Sequence, residues 1–389
     1  MKVILGADAI RQPITGIGRY VMELAKHLPE VQDVQTVKYF TRGNLIDSIA
    51  NLTKAPKLDT LLRLYKLNPA LRRFLLLQKP VIKTFQLLNP VRQRLALRGM
   101  DSYLYHGPNF YLPPFSGTSV VTFHDLSIYT FSECHPPERV NFMRSEIEKS
   151  LKRAKMIITD SEFNRKEIID YFSWPADRIV AVPLAAGREY HLRHESEVLP
   201  LIREFKLDYK NYALFVGTIE PRKNLNVLLD VYECMSMKER KSMPLVVAGH
   251  PGWMSKSIHK RLEIAENQGW LRHLGYVSEA HLPILFNGAK IFLFPSLYEG
   301  FGLPILEAMA SGTAVISSSA ASLPEAGGEA AIYVSPNDTD AWLYNIQELK
   351  ENKSRTDAMS AAGLKHSENF SWKRTASETV DVYRIALTA

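Results

Sequence analysis

Cysteine is scarce in this 389-residue chain, which has only Cys134 and Cys234. Two residues so far apart match neither a disulfide framework nor a metal-ligand spacing, and both are expected to be packing residues. Long apolar runs are missing as well. None approaches the roughly 20 residues that span a bilayer, so no transmembrane helix is predicted. The first stretch, MKVILGAD, has an apolar run far below the roughly 7–15 residues of a signal-peptide core and reads as a strand, which leads us to expect the chain in the cytoplasm. No DxD-like acidic cluster stands at the end of a predicted strand. Acids are nearly absent from one segment: residues 52–99 hold eleven Lys or Arg and a single carboxylate, Asp59. That segment carries +10, so within a chain of net charge +7 the remainder is −3. The basic character belongs to one segment, and partners are to be sought there.

What is present has the composition of a soluble protein, 46% hydrophobic and 23% charged. At about 150 residues per domain, the length implies two domains, each with its own core. A strand at VILGAD, a glycine-containing loop from Arg11 to Gly18 and a helix from Arg19 to Leu28 open an alternating α/β pattern. Short apolar runs at Ser119–Phe123 and Met156–Thr159 predict parallel strands buried on both faces. Asp160-Ser161-Glu162 predicts a capped helix start. Residues 183–210 lose the strand periodicity and are rich in charge, as a linker would be. A second series of runs then follows at 212–218, 245–250, 271–277, 291–296, 313–318 and 331–336. The expected fold is α/β: two doubly wound Rossmann-like domains, 1–190 and 211–370, facing each other across a cleft. Residues 191–210 would link them, and 371–389 would form a helix packing back on the first domain. In such sheets ligands bind beyond the carboxyl ends of the strands.

The stretch LYEGFGLPILEAMASG (297–312) follows one of these runs. Pro304 suits a first helical turn and Gly312 the end of the helix. The amides of Gly300, Phe301, Gly302 and Leu303, with the helix N-terminus, would form an anion site, the glycines letting a phosphate approach the backbone. Glu299 lies on the loop; Glu307 lies one turn into the helix, where it can accept hydrogen bonds from ribose hydroxyls. Taken singly, Glu307 is also a first-turn acid favoured by the helix dipole, and Glu299 a solvated loop charge. In ALFVGTIEPRKNLNVLL, Arg222 and Lys223 follow the strand and Gly217, at the start of a helix capped by Asn224. Two adjacent cations suit a diphosphate, although a solvated basic turn has the same pattern. TGIGRY (15–20) offers a glycine-lined helix entrance at Gly16, and TFHDLS (122–127) ends a strand with His124, a residue type more often structural than catalytic when alone.

Together with LPEAGGEAAIYVSP, these stretches resemble the retaining glycosyltransferases of the family 4 type, which have the two-domain GT-B architecture. The resemblance covers nearly the whole chain, and EGFGLPILE is similar to the family's pair of glutamates separated by seven residues. It implies that the C-terminal domain binds a nucleotide sugar and the N-terminal domain the acceptor. Glu299 and the amides from Gly300 to Leu303 would hold the donor sugar, Glu307 the ribose, and Arg222 and Lys223, beside Gly217, the diphosphate. His124 would meet the sugar near the reacting carbon, and Gly16 the diphosphate or acceptor side of the cleft. His124, Arg222, Lys223 and Glu299 then form the catalytic set. Family members often carry Arg directly after the glycine of the VG turn; this chain has Thr218, so Arg222 would supply that charge. The implied route is front-side attack with retained configuration, the cations replacing a metal, so neither metal nor cofactor is expected. VGTIEPRKNL and LVVAGHPGW resemble mannosyltransferases that use GDP-mannose, making it the expected donor.

In the basic segment, Asn-Pro pairs at 68–69 and 89–90 can each start a short helix, and Pro80 should break the stretch between them. Leu, Phe, Val and Ile beside Lys and Arg suit an anionic membrane interface, where each basic residue contributes roughly 1 kcal/mol. Packing of the apolar face on the N-terminal sheet is the alternative. With Tyr65, Phe74 and Phe85 the only aromatics there, the stacking pattern of a single-strand binder is lacking, and no nucleic-acid partner is expected. The expectation is an enzyme peripheral to the inner face of the cytoplasmic membrane, adding a hexose to a lipid-linked glycan as in O-antigen or lipopolysaccharide assembly. An NAD-dependent dehydrogenase is opposed by Val21, where the third glycine would fall. A nucleotide-sugar epimerase of the same architecture and a non-catalytic sugar-nucleotide-binding protein are the other readings.

Overall fold

Among the described residues, seven strands make the N-terminal sheet: β1 (Lys2–Gly6), β2 (Thr36–Thr41), β3 (Asn44–Ile46), β4 (Leu104–Gly107), β5 (Ser119–Phe123), β6 (Met156–Thr159) and β7 (Ile179–Ala181). They come from a computed structural model that describes residues 1–10, 14, 16–51 and 89–389. The order is β3-β2-β1-β4-β5-β6-β7, parallel except where β3 runs against β2. Six further strands make the C-terminal sheet: β8 (Ala213–Val216), β9 (Leu245–Ala248), β10 (Leu271–Gly275), β11 (Ile291–Phe294), β12 (Ala314–Ser318) and β13 (Ala331–Val334). Their order is β10-β9-β8-β11-β12-β13, all parallel. Strands β4, β5, β6, β8, β9, β11 and β12 are buried along their whole length, as continuous apolar runs under helices on both faces require. In each sheet the winding reverses once, between β1 and β4 and between β8 and β11. These are the crevices where an open α/β sheet receives a ligand.

The stretch expected to be a plain linker carries a helix, Glu195–Glu204, with Pro200 inside it, packed on the helix Leu282–Gly288. The last helix, Trp372–Thr388, returns to the N-terminal lobe, against the helix Gly16–His27 and strands β5 and β6. Its Tyr383 hydroxyl lies 2.7 Å from His106 Nδ1 in β4. Asn224 occupies the N-cap position of the helix Leu225–Cys234 at φ 52°, but its side chain makes no cap bond and its amide donates instead to the Pro336 carbonyl at 2.7 Å. Cys134 is buried, whereas Cys234 is exposed and so is not a core packing residue.

Residues 52–88, most of the basic segment and of the membrane expectation built on it, lie outside the described residues. Of the remainder, residues 89–96 are helical. Among the described residues, no helix is long and apolar enough to cross a membrane.

Candidate active site

Because β8 and β11 are neighbours, the loops leaving their carboxyl ends meet. The Leu297 amide donates to the Arg222 carbonyl at 2.9 Å, joining them. Pro221–Lys223 is a single helical turn. Arg222 donates to the Tyr298 carbonyl at 2.6 Å, to Glu220 at 2.7 Å and to Glu299 at 3.2 Å, while its Nε is a buried donor without a partner among the described residues. Lys223 donates to the other Glu299 oxygen at 2.5 Å. Burial opposes charge on Glu299, but Lys223 and then Arg222 outweigh it and hold the carboxyl down to about 2. Gly217 lies at this cluster, since a Cβ there would be 3.8 Å from Lys223 Cδ. The turn is backed by Gly249, whose own Cβ would fall 1.8 Å from the Gly217 carbonyl oxygen.

The loop after Glu299 docks on the N-terminal lobe. The Gly300 carbonyl accepts from Ser161 Oγ at 2.8 Å and from Asn164 Nδ2 at 2.7 Å; the same Asn164 nitrogen bonds the His124 carbonyl at 2.6 Å. A Cβ on Gly300 would lie 1.8 Å from that His124 oxygen. The lobe contact therefore demands glycine at 300, a different reason from the phosphate approach expected of it. Gly302 is the N-cap of the helix Leu303–Ala310 at φ 113°, and a Cβ there would also meet Leu323 at 2.9 Å. The Phe301 ring is buried in the core, 6.1 Å from the Phe370 ring, and Leu303 is half-buried. Nearby, Glu325 accepts from the Glu162 and Phe163 amides at 2.8 and 2.7 Å, closing the N-terminus of the helix Glu162–Phe172 with a carboxylate from the opposite lobe.

His124 is buried, with Nδ1 2.7 Å from Asp160 and Nε2 2.9 Å from the Pro108 carbonyl. A carbonyl only accepts, so Nε2 carries a proton, and a second proton is shared with Asp160. Burial disfavours charge on the imidazole, and Asp160 more than compensates, so its pKa lies above the ordinary histidine value. Burial raises Asp160 in turn, against His124. Both ring nitrogens are engaged, and His124 meets the opposite lobe through its backbone carbonyl, which faces Gly300.

Glu307 stands in a second cluster. Its carboxylate is bonded by Arg19, from the helix Gly16–His27; Arg19 also donates to the Tyr190 hydroxyl at 3.1 Å and lies over that ring at 5.5 Å. Gly16 opens this helix in an exposed position, where among the described residues a Cβ would find nothing within 4 Å. The structure thus unites Arg222, Lys223, Glu299 and Gly217, sets His124 against Gly300, and gives Glu307 an N-lobe cation. Sequence reasoning missed Arg19, Asp160, Asn164, Tyr190, Gly249 and Glu325. Arg19 and Glu325 stood inside motifs already singled out, TGIGRY and LPEAGGEA; Tyr190 had no local signal.

A family model described as glycosyl transferases group 1 matches residues 202–366. The chain is 40% identical to O-antigen chain mannosyltransferase B of Escherichia coli over 99% of its own length and 100% of the relative. It is 30% identical to the serotype-specific mannosyltransferase WbdA of Escherichia coli over 59% of this chain, covering 29% of that longer protein. Among solved structures, HepE of Anabaena in complex with UDP and glucose superposes with a TM-score of 0.71 at 14% identity over 99% of both chains. WaaG, a glycosyltransferase involved in lipopolysaccharide biosynthesis, superposes with a TM-score of 0.65 at 10% identity, over 98% of this chain and 99% of that one. At these identities the likeness concerns the fold.

Proposed function

The chain belongs to the glycosyl transferases group 1 and has the GT-B fold, and from that premise we propose that it transfers mannose from GDP-mannose to a lipid-linked glycan in O-antigen-type polysaccharide assembly. In this reading the enzyme retains the anomeric configuration, needs no metal or cofactor, and works as a peripheral protein on the inner face of the cytoplasmic membrane through residues 52–99. The observation that carries it is the 40% identity with O-antigen chain mannosyltransferase B along essentially both whole chains.

The chemistry follows from the cluster at β8 and β11. Breaking the bond from the anomeric carbon to the diphosphate oxygen develops positive charge on carbon and negative charge on the leaving group. Arg222 and Lys223 exchange Glu299 for that diphosphate, and each preorganised donor in a closed cleft contributes a few kcal/mol. Glu299 is then free to accept hydrogen bonds from the sugar hydroxyls. The acceptor hydroxyl attacks on the face the diphosphate leaves, and a phosphate oxygen takes its proton. Ser161 and Asn164, holding the Gly300 loop, keep water from the intermediate.

A thermal-shift panel of GDP, UDP, dTDP and ADP tests the donor. A ligand that binds only the folded state adds about 2.7 kcal/mol at a hundred times its dissociation constant. GDP is expected to raise the melting temperature. A shift with UDP and none with GDP would overturn the mannose donor, and turnover of GDP-mannose without transfer to a glycan would favour the epimerase.

A further inference from the structure

Beside this centre, each lobe presents aromatic surface that donor chemistry leaves unused. On the N-terminal lobe Tyr111 packs on Phe142, ring centroids 6.0 Å apart. Phe142 lies on the helix Pro137–Arg153, one turn after Arg139. Arg139 reaches the C-terminal lobe, its guanidinium 5.7 Å from the Trp253 ring. Phe142 and Trp253 are each 44% exposed. Rings scattered singly on a surface need no explanation, but here Arg139 links the exposed ring of one lobe to the helix that carries the exposed ring of the other, as the walls of a binding surface would be linked. Both walls are set by backbone that bulky residues rarely adopt: Phe110, before Tyr111, has φ 63°, and Met254, after Trp253, has φ 51°. Both also abut the reaction centre. The Phe110 ring lies 5.7 Å from the His124 ring. The Gly252 amide donates to the Ile219 carbonyl at 2.9 Å, in the turn that continues to Glu220 and Arg222.

We propose that Tyr111, Arg139, Phe142 and Trp253 form a stacking subsite for a pyranose ring of the acceptor glycan; the assignment rests on the glycosyltransferase reading above. A pyranose has an apolar face of C–H groups and a rim of hydroxyls. Aromatic rings cover the first, and the guanidinium fork donates to the second. Because the patch spans both lobes beside Arg222, it holds the glycan only while the cleft is closed and releases it when the lobes part.

The test uses the full-length protein and mannotetraose as the probe, in two arms. Calorimetric titration of mannotetraose without donor measures the subsite alone. W253A and F142A, one from each lobe and both at exposed positions, should each weaken binding about tenfold or more, as loss of an aromatic anchor does, with W253F restoring it. The GDP-induced thermal shift should be unchanged in all three variants. Equal mannotetraose affinity in wild type, W253A and F142A overturns the subsite. So does loss of the GDP shift in W253A, which would give the ring to the nucleobase. Absence of a GDP shift in the wild type would sink the donor reading on its own, whatever the glycan titration shows.

Discussion

Arg19 of the N-terminal lobe forms a buried ion pair with Glu307 of the C-terminal lobe, 288 residues further along the chain. The side chains are 14% and 3% exposed, so the pair is largely out of water. Burial raises the Glu307 carboxyl to about 7 against the pull of Arg19, while Glu307 keeps the guanidinium firmly charged. A carboxyl whose folded pKa lies above its ordinary 4.5 stabilises fully below that value and loses the contribution as pH rises through about 7. The ion pair therefore matters most above pH 7.

Replacing Arg19 by Ala removes the pull that lets Glu307 ionise. At pH 5 the carboxyl is mostly protonated in either protein, and the loss of stability should be small. At pH 8 the wild-type carboxyl has ionised beside Arg19, whereas in the variant it stays protonated, so the variant forgoes the roughly 1.4 kcal/mol that one pH unit above a pKa of about 7 contributes. Thermal unfolding at the two pH values checks this, and equal losses at both would refute it.

Glu299 has the opposite sign. Burial works against its charge, yet Lys223 and Arg222 hold it at about 2, so its contribution is present above about 4.5 and is lost as pH falls toward 2. Glu299→Gln takes the carboxylate from Lys223 and leaves Arg222 held by Glu220 and the Tyr298 carbonyl. Affinity for GDP should be kept or tightened, while mannosyl transfer falls roughly a hundredfold or more, the scale of one preorganised polar contact to a transition state. Parallel measurement of GDP affinity and kcat decides; a variant that loses GDP binding and turnover together would assign Glu299 to the nucleotide.

The His124–Asp160 pair is a positioning device as well as a charge. Asp160→Asn leaves burial as the dominant influence on the imidazole, which should then titrate below its ordinary value and not above it. A folded pKa raised in the wild type gives stability that is full below about 6.5 and fades as pH rises through that pKa, and the variant loses this dependence. NMR titration of the His124 ring reads it directly. Identical midpoints in the two proteins would mean that the two side chains are not coupled.

The C-terminal sheet was legible because each of its strands coincides with an apolar run bounded by turn residues, as at IFLFPS and β11. The N-terminal sheet was harder to read. β2 is half-exposed and carries Lys38, β7 is three residues long, and neither stands out from the loops around it. The helix Glu195–Glu204 was hidden by charge and by Pro200. At the site, Arg222, Lys223 and Glu299 could be found because adjacent strands place two recognisable motifs side by side. Arg19, Asn164 and Tyr190 act through contacts between lobes, and local periodicity carries no information about a partner more than a hundred residues away.

Glycine at 300 makes closure of the lobes testable. A Cβ at this position would lie 1.8 Å from the His124 carbonyl oxygen and 3.0 Å from Asn164 Nδ2, so Gly300→Ala forces the loop off the N-terminal lobe. The bonds from Ser161 and Asn164 to the Gly300 carbonyl are lost with it. Arg222 and Lys223 belong to the C-terminal lobe alone, so GDP should still bind within about threefold of wild type, a change of less than 1 kcal/mol. Transfer needs both lobes and should fall by roughly a hundredfold or more, the penalty for misplacing reacting groups by about 1 Å. Gly16→Ala is the contrast. Among the described residues its Cβ would find nothing within 4 Å, and Gly16 is the first residue of its helix, so the fold should be unharmed. If Gly16→Ala nonetheless loses transfer, a substrate passes over that helix entrance. Small-angle scattering should show a larger radius of gyration for Gly300→Ala than for Gly16→Ala; equal radii with equal turnover would mean that the Gly300 contact does not hold the lobes together.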